Sequence, residues 1–413
     1  MTGSTSRHET NDIGQERGSP MGGVGPTSSR GVEVNTRVVV RQHAQSNDLR
    51  GLTQVLTTLG SLALLWWAAV ASVAVSLWLT FAIIPLLSLF SLRVFTLMHE
   101  CGHGSLFRTQ RLNRACGFIL GVTAGMPQYV WSQHHSFHHE HNGNWDKYRG
   151  PYTTLSVDEY AALSAMQQFM YRWKCSMAGA PIAGFIYLIF NPRFTWLKGS
   201  IGLALHIVRQ KIAQPNQSIQ TIAAGFQTRY WKSAKEYRHM SWNNVVLLSL
   251  WVLMCAAVGS SRFFAIYVTA LSLAGGAGIV LFTVQHNFRH SYASDQEHWD
   301  YDTGAIEGTS YLVLPAWLNW FTANIGYHHV HHLCDRIPNY RLVDCHDELR
   351  NRFSAVTRLG LADVHQSLKC ILWDARARQI ISVAEYREQI PARRYSPESP
   401  SSSPVSASSG ASG

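Results

Sequence analysis

The sequence predicts an all-α integral membrane protein: four transmembrane helices in two hairpins, with a cytoplasmic helical cap that holds a histidine-rich dimetal site. Three observations lead to this class. Two long stretches carry almost no charge, the segment that connects them is strongly basic, and histidines recur in three clusters at helical spacing. Uncharged stretches of this length are typical of helices that cross a hydrocarbon core of about 30 Å.

The two ends of the 413-residue chain differ in composition from its middle. Residues 1–50 are rich in Gly, Ser, Thr, Arg and Asn, and residues 391–413 are rich in Ser and Pro. Segments of this kind bury little apolar surface, so both tails are expected to be disordered. Residues 51–390 show no internal change of composition and are predicted to form one membrane domain. The first tail has no apolar stretch typical of a cleavable signal peptide.

The first uncharged stretch runs from Gly51 to Leu92. It is long enough for two helices of about 20 residues, which we place at residues 52–70 and 73–94. Their short connection predicts a tight hairpin. Pro85 lies inside the second helix and predicts a kink, which a transmembrane helix tolerates.

The second uncharged stretch is interrupted only by Arg262. It predicts another helix pair at residues 242–260 and 263–285. The run Gly275-Gly276-Ala277-Gly278 in the last helix leaves a flat surface, which favours close packing against another helix.

The central connecting segment is basic. Between Arg172 and Arg238 it contains ten Lys or Arg residues and one acid, Glu236. Because Lys and Arg favour the cytoplasmic side, this segment, and with four spans both termini, is predicted to be cytoplasmic. This bias alone accounts for the charge, but the surface is also suited to anionic headgroups or an acidic protein partner. No nucleic-acid partner is expected.

Histidines form three clusters at the spacing that places side chains on one helix face. The clusters are His99 with His103, His135 with His138 and His139, and His328 with His331 and His332. Residues three and four apart on a helix are about 5–6 Å apart at Cβ, so each cluster is expected to point at one place. Eight imidazoles exceed the ligands of a single zinc site, and two metal ions are the natural number.

The clusters lie next to the predicted spans rather than inside them. His99 follows the second span, and His286 ends the fourth. The apolar segment Leu112–Trp131 contains glycines and a proline, which favours an interfacial or re-entrant hairpin over a fifth span. The segment Tyr311–Phe321 is expected to be an interfacial helix. All clusters can then meet in one cytoplasmic cap.

Other metal proteins fit this pattern less well. A metal transporter should carry its ligands inside the spans, which are nearly free of ionisable residues. The sequence His99-Glu100-Cys101-Gly102-His103 matches the HExxH motif of zinc metalloproteases, but that interpretation leaves two clusters unexplained. A carboxylate di-iron bundle would need a second Glu-x-x-His motif and two more glutamates, and the four predicted spans contain no glutamate.

The histidine clusters and their surroundings resemble the membrane-bound fatty acid desaturases, in particular the acyl-lipid enzymes of the Δ12/ω6 type. The resemblance covers roughly residues 50 to 350. It rests on the following motifs: His99-Glu100-Cys101-Gly102-His103-Gly104, His135-Ser136-Phe137-His138-His139, Gln285-His286, and Asn324-Ile325-Gly326-Tyr327-His328-His329-Val330-His331-His332-Leu333. Their order and spacing are highly specific.

This resemblance implies a site with two iron ions, held mainly by histidines, that uses O2 and two electrons to desaturate an acyl chain. The metal ligands that it implies are His99, His103, His135, His138, His139, His286, His328, His331 and His332. Some distant relatives carry an asparagine one turn before the histidine equivalent to His286, where this chain has Phe282. The histidines that flank the clusters, at 134, 141, 290, 298 and 329, are expected to be supporting or surface residues.

Carboxylates often orient metal-bound histidines, and five acids are candidates for this role: Glu100, Asp146, Asp300, Asp302 and Glu307. The expected partners are an acyl-lipid substrate, membrane lipids and a separate electron donor of the ferredoxin, flavodoxin or cytochrome b5 type. A fatty acid hydroxylase on the same scaffold remains an alternative, as does, further away, a zinc protease or a lipid-bound scaffold without activity. The position of the double bond, the acyl carrier and the oligomeric state stay open.

Overall fold

The computed structural model describes residues 29–150 and 153–395, and this part of the chain is mostly helical, as predicted. Its α-helices, in chain order, are α1 Ser29–His43, α2 Asp48–Ser72, α3 Leu77–His103, α4 Gln110–Ala124, α5 Gln128–His141, α6 Val157–Ala161, α7 Ala165–Lys174, α8 Ala180–Phe185, α9 Asn191–Ala213, α10 Ile219–Ala224, α11 Ala234–Val258, α12 Ser260–His286, α13 Tyr301–Ile306, α14 Ala316–Phe321, α15 His328–Leu333, α16 Leu342–Glu348, α17 Val364–Ser367 and α18 Val383–Tyr395. A π-helical turn, Ile186–Phe190, joins α8 to α9, and 3₁₀ turns cover Asn339–Arg341 and Leu361–Asp363.

Four helices of the described residues are long and apolar enough to cross a membrane: α2, α3, α11 and α12. Each overlaps one predicted span. The largest difference between a predicted and an observed helix end is that of α3, which continues past residue 94 to His103. The chain stays helical until Gly104, which adopts a left-handed conformation with φ of 68°. The first histidine cluster therefore belongs to the same rigid helix as the second apolar span.

These four helices share the largest apolar core. Leu87, Val94 and Leu97 of α3 are fully buried in it, together with Phe263 and Ile266 of α12. Residues 73–76 connect α2 to α3, and Gly259 alone separates α11 from α12. Helix α12 packs on α3, α11 and α2, and α3 also packs on α2, so α12 links the two helix pairs.

The segment predicted as an interfacial or re-entrant hairpin consists of two helices, α4 and α5. They are separated by Gly125, Met126 and Pro127. Gly125 has a φ of 79°, which only glycine adopts readily, and so ends α4 and turns the chain. Pro127 then precedes α5, the helix that carries the second histidine cluster.

Buried polar side chains fix the ends of several helices. The guanidinium of Arg193 donates to the backbone O of Gly125 at 2.5 Å and to Asn244 Oδ1 at 2.7 Å, which ties the turn before α5 to α11. On α3, Arg93 donates to Thr58 Oγ1 at 3.0 Å and to the backbone O of Trp320. Ionisable groups at membrane depth are costly unless they are paired, and both arginines meet several acceptors.

The segment Tyr311–Phe321 is only partly the helix that the sequence predicts. Its first part belongs to strand β2, Ser310–Leu312, which pairs in parallel with β3, Thr357–Leu359. Pro315 then precedes the short helix α14. The prediction of one continuous helix was wrong because residues 310–312 find hydrogen-bond partners in a strand some 45 residues later in the chain.

A second small sheet adds to the helices. It has the order β1-β4-β5, with β1 at Leu155–Ser156, β4 at Cys370–Asp374 and β5 at Gln379–Ser382. Strand β1 pairs in parallel with β4, and β5 pairs antiparallel with β4. Backbone bonds between Ile380 and both His290 and Ser291 fix the loop that follows α12. The all-α prediction did not include these strands, which have two to five residues each.

The predicted tails fall largely outside the described residues, namely 1–28 and 396–413. Within the predicted first tail, however, α1 is helical, and its Val39 is buried beside Ile337 and Leu342. Nε2 of His43 also lies 2.8 Å from Glu348 Oε2. These contacts explain why a segment of polar composition is ordered.

The glycine run of α12 makes the close contact that the sequence predicts. Helix α8 crosses α12 so closely that a Cβ on Gly184 would lie 2.2 Å from the backbone carbon of Gly275. A Cβ on Gly276 would likewise lie 2.8 Å from the backbone N and Cα of Pro181 in α8. The run therefore serves helix packing.

We expect the substitution Gly184→Ala to lower the free energy of unfolding by about 1–3 kcal/mol, because the new methyl group meets backbone atoms that cannot rotate away. The matched control is Gly60→Ala on α2, where an added Cβ meets nothing within 4 Å. The control should be neutral or stabilising by up to about 1 kcal/mol. Thermal unfolding of the purified proteins in detergent measures both. Equal midpoints for the two variants would contradict the close packing of α8 on α12.

Candidate metal centre

Nine buried histidines form two neighbouring groups. The first group contains His99, His103, His135, His139 and His331, and the second contains His138, His286, His328 and His332. Within each group the ligand atoms lie within 4.8 Å of one another. The structure thus brings together all nine histidines that the sequence and the resemblance indicate.

Each three-residue cluster contributes to both groups. In α5, the i, i+4 pair His135 and His139 belongs to the first group, whereas His138 belongs to the second. In α15, the i, i+4 pair His328 and His332 belongs to the second group, and His331 belongs to the first. The expectation that each cluster points at one place was therefore wrong. Helix geometry keeps the i, i+4 pairs together and turns the third side chain toward the neighbouring group.

Distances between ring nitrogens fit shared metal ions. Nε2 of His99 lies 3.3 Å from Nε2 of His103, and the Nε2 atoms of His135 and His139 are 3.1 Å apart. In the second group, Nε2 of His286 lies 2.9 Å from Nε2 of His328. Two imidazoles bound to one metal at about 2.0–2.1 Å would have nitrogens about 2.9–3.3 Å apart for right to tetrahedral angles.

Several ring nitrogens in the two groups lack a hydrogen-bond partner in the protein. Both nitrogens of His138 and both of His331 are in this position. Leaving a buried donor or acceptor unpaired costs about 1–3 kcal/mol. A metal ion bound to one nitrogen of each ring would offset part of this cost, and the donor set therefore fits metal binding.

The protonation state of the histidines outside the spans also suits metal ligands. Burial, and after it the proximity of other imidazoles, lowers the pKa of His135, His138 and His139 well below its ordinary value. The same causes lower the pKa of His328, His331 and His332. These rings are therefore neutral at physiological pH, and neutral imidazole is the form that binds metal.

Two carboxylates and one backbone carbonyl support the groups from outside. Nδ1 of His103 lies 3.0 Å from Asp335 Oδ2, and Nδ1 of His99 lies 3.4 Å from Glu100 Oε1. Nδ1 of His286 lies 3.3 Å from the backbone O of Gly308. With the proton on Nδ1 in each case, Nε2 is left free to face the other histidines.

Of the five carboxylates considered from the sequence, only Glu100 contacts a histidine of the two groups. Asp146 accepts from the backbone N of Gln296, and Asp300 caps α13. Asp302 and Glu307 are exposed. Sequence reasoning missed Asp335, although its position three residues after His332 was an available signal.

Aromatic side chains pack against histidines of both groups. Trp131 stacks on His135 with ring centroids 4.5 Å apart, and its Nε1 donates to Tyr187 Oη at 2.8 Å. Phe282 lies one turn before His286, and its ring centroid is 5.1 Å from that of His138. The position at which some distant relatives carry an asparagine is thus apolar here and offers no hydrogen bond.

The flanking histidines are not part of either group. His329 is buried and its Nε2 lies 2.8 Å from Nδ1 of His346, which fits a supporting role. His134, His290 and His298 are exposed, and His141 stacks on Phe137.

Comparisons with known proteins agree with this arrangement. The family model described as "Fatty acid desaturase" matches residues 76–359, which include all nine histidines. A fatty acid desaturase of Bacillus subtilis (strain 168) is 32% identical over 349 residues, which cover 83% of this chain and 88% of the relative. The chain belongs to the fatty acid desaturase family. It is therefore related to oxidoreductases of lipid metabolism, and its four long apolar helices fit a membrane desaturase.

More distant desaturases cover less of the chain. An endoplasmic reticulum omega-3 fatty acid desaturase of Nicotiana tabacum is 24% identical over 60% of this chain and 59% of its own length. A Delta(12) fatty acid desaturase of Caenorhabditis elegans is 29% identical over 25% of this chain and 24% of its own length. The hairpin of β4 and β5 lies beyond the segment that matches the desaturase family model.

We expect Asp335→Asn to weaken metal binding by this protein about 10–100-fold, because an amide supports the His103 imidazole less well than a carboxylate. Competition with a chelator, read out as metal content, measures the change without reference to turnover. Asp302→Asn is the matched control, since Asp302 is exposed and contacts neither histidine group. Wild-type affinity in Asp335→Asn would show that this carboxylate does not support the site.

Proposed function

We propose that this protein is an acyl-lipid desaturase that converts two neighbouring methylenes of a membrane-bound acyl chain into a double bond. O2 accepts four electrons, two from the acyl chain and two from a separate carrier, and leaves as two water molecules with two hydrogens from the chain and two protons from solvent. The observation that carries the proposal is the pair of buried histidine groups at the ends of two long apolar helices.

Two iron ions are the proposed cofactors. The five histidines of the first group would hold one and the four of the second group the other. Imidazole suits iron, zinc, copper and nickel alike, so the choice of iron rests on the family and on the need for a redox metal. When bound, the iron pair supplies the oxidising power for C–H bonds that no side chain can attack.

The residues of this chain contribute position and shielding. All nine histidines are buried, so solvent is kept from the reacting carbon atoms. Glu100, Asp335 and the carbonyl of Gly308 hold three of the rings in one orientation. Phe282 and Trp131 place apolar surface beside His138 and His135, which would suit the apolar methylenes of an acyl chain.

We also propose the orientation of the molecule. The pairs α2 with α3 and α11 with α12 would form the two transmembrane hairpins, with the histidine groups, both termini and the basic segment 172–238 on the cytoplasmic side. The excess of Lys and Arg in that segment supports this. It also gives a positive surface for an acidic electron carrier of the ferredoxin, flavodoxin or cytochrome b5 type.

Expression of the wild type in a host with suitable electron donors should add a double bond to the total fatty acids, measured by gas chromatography–mass spectrometry. His138→Ala should abolish this product. Neither ring nitrogen of His138 has a hydrogen-bond partner in the protein, and the ring faces His286 and His332. His134→Ala, one turn earlier on the same helix and exposed, is the control that should keep the product.

Other products would change the conclusion. A hydroxy fatty acid in place of the double bond would identify a hydroxylase on the same scaffold. An unchanged lipid profile with the wild type, together with purified protein that holds zinc rather than iron, would favour a zinc enzyme. Retention of the double bond in His138→Ala would place the chemistry elsewhere.

The two groups also predict the metal content of the purified protein. Wild type should contain about two iron ions per chain, one for each histidine group. His331→Ala, in the first group, and His328→Ala, in the second, should each reduce the content toward one ion because each removes a ligand from one group. Elemental analysis measures this. Two ions in both variants would contradict the assignment of ligands.

A further inference from the structure

Helix α9 has an unusual distribution of side chains, with a large apolar stripe on its outer face. The stripe residues recur every three or four positions, as on one side of a helix. They are Phe194, Leu197, Ile201, Leu205, Val208 and Ile212, with exposed fractions of 44, 52, 52, 52, 55 and 77%. A contiguous exposed apolar stripe of this kind is typical of a surface that binds a protein or a membrane.

The inner face of α9 fixes this orientation. A Cβ on Gly199 would lie 2.2 Å from the Trp231 ring, so this ring packs directly on the helix backbone. Trp196 Nε1 donates to Ser241 Oγ at 3.0 Å, and the hydroxyls of Ser200 and Tyr237 are 3.2 Å apart. The polar contacts are therefore used inside the fold, and rotation of α9 to hide the apolar stripe would break them.

The charged residues of α9 are all basic. The helix contains Arg193, Lys198, Arg209 and Lys211 and no acid. Lys198 and Arg209 are exposed beside the apolar stripe, whereas Arg193 is held by Asn244 and Gly125. A crossing of the bilayer would desolvate the exposed charges, which costs several kcal/mol. An orientation in the plane of the interface leaves them at the headgroups.

Helix α9 is also continuous with a segment that is packed on a span. The π-helical turn joins it to α8, and α8 lies directly on Gly275 and Gly276 of α12. The start of α9 is thus held beside a helix that is long and apolar enough to cross the membrane.

We propose that α9 is an in-plane membrane-binding helix whose apolar stripe enters the outer acyl region while Lys198 and Arg209 contact the phosphates of anionic lipids. Charge complementarity favours this occupant over a second copy of the chain. Two copies paired through this face would bring Lys198 and Arg209 of both together, with no acid of α9 to neutralise them. The proposal does not depend on the reaction that the histidine groups perform.

The test uses the full-length protein in nanodiscs and two matched alanine positions. Ala204 is exposed on the outer face of α9, and Ala377 is exposed in the turn between β4 and β5. Ala204→Cys and Ala377→Cys would each be labelled with a small fluorophore, with the labelled unsubstituted protein as background. Quenching by nitroxide-bearing lipid reports contact with acyl chains, and quenching by iodide reports contact with water.

The label at residue 204 should be quenched several-fold more by the nitroxide lipid than by iodide, and the label at residue 377 should show the reverse. Iodide quenching of both labels to the same extent would overturn the proposal. Protection of the label at residue 204 from both quenchers would also overturn it, because a protein surface would then cover this face.

The charges are tested separately in nanodiscs of phosphatidylcholine with or without phosphatidylglycerol. Anionic lipid should raise the ratio of lipid to iodide quenching at residue 204, and the double substitution Lys198→Glu and Arg209→Glu should remove that increase. Near an anionic surface each basic residue is worth roughly a fivefold change in binding. If the quenching ratio at residue 204 changed neither with lipid charge nor with the double substitution, the proposed role of the two cations would be contradicted.

Discussion

The structure depends on one constraint: nine imidazoles must remain close together and away from water. A protonated ring in either group would face other rings at ring-to-ring distances of about 4–6 Å in a medium that screens charge poorly. Burial and mutual proximity lower the pKa of the six rings that α5 and α15 contribute to the two groups, and so keep them neutral. Their unpaired nitrogens are unfavourable for the folded chain until a metal binds them. The unpaired nitrogens therefore lower the stability of the metal-free fold, and the packing around the site must offset this cost.

That packing relies on polar groups at the ends of the helices that carry the histidines. Arg193 ties the turn before α5 to α11. Gln285 donates to the backbone O of Ile325 at 2.6 Å and so joins the end of α12 to the turn before α15. Arg93 holds α14, just before that turn, against α2 and α3. Each contact ends on a backbone carbonyl, a side-chain amide or the Thr58 hydroxyl, so none of these three side chains depends on an acid to position its helix end.

The sequence predicted the parts that depend on local periodicity. Charge-free stretches indicated the four long helices, and helical spacing together with the family resemblance indicated all nine histidines. It failed where residues distant in the chain decide the outcome. Strand β2 forms because residues 357–359 lie beside it, and α1 is ordered because Val39 packs on Ile337. Asp335 supports His103 across 232 positions of the chain. Its place three residues after His332 indicates that it lies near the site, but spacing does not reveal which histidine it contacts. The division of each cluster between two groups likewise depends on how α5 and α15 face each other.

This division makes the two histidine groups mechanically inseparable. Because α5 and α15 each supply ligands to both groups, a rotation or a one-residue slip of either helix would disturb both at once. Neither group can be adjusted by moving a helix while the other is left as it is. The spacing between the two histidine groups is consequently constrained by the 1.5 Å rise and 100° turn per residue of an α-helix, roughly constant quantities that mutation of neighbouring side chains does not alter. Each of the two helices thereby keeps the two groups at a fixed distance from each other.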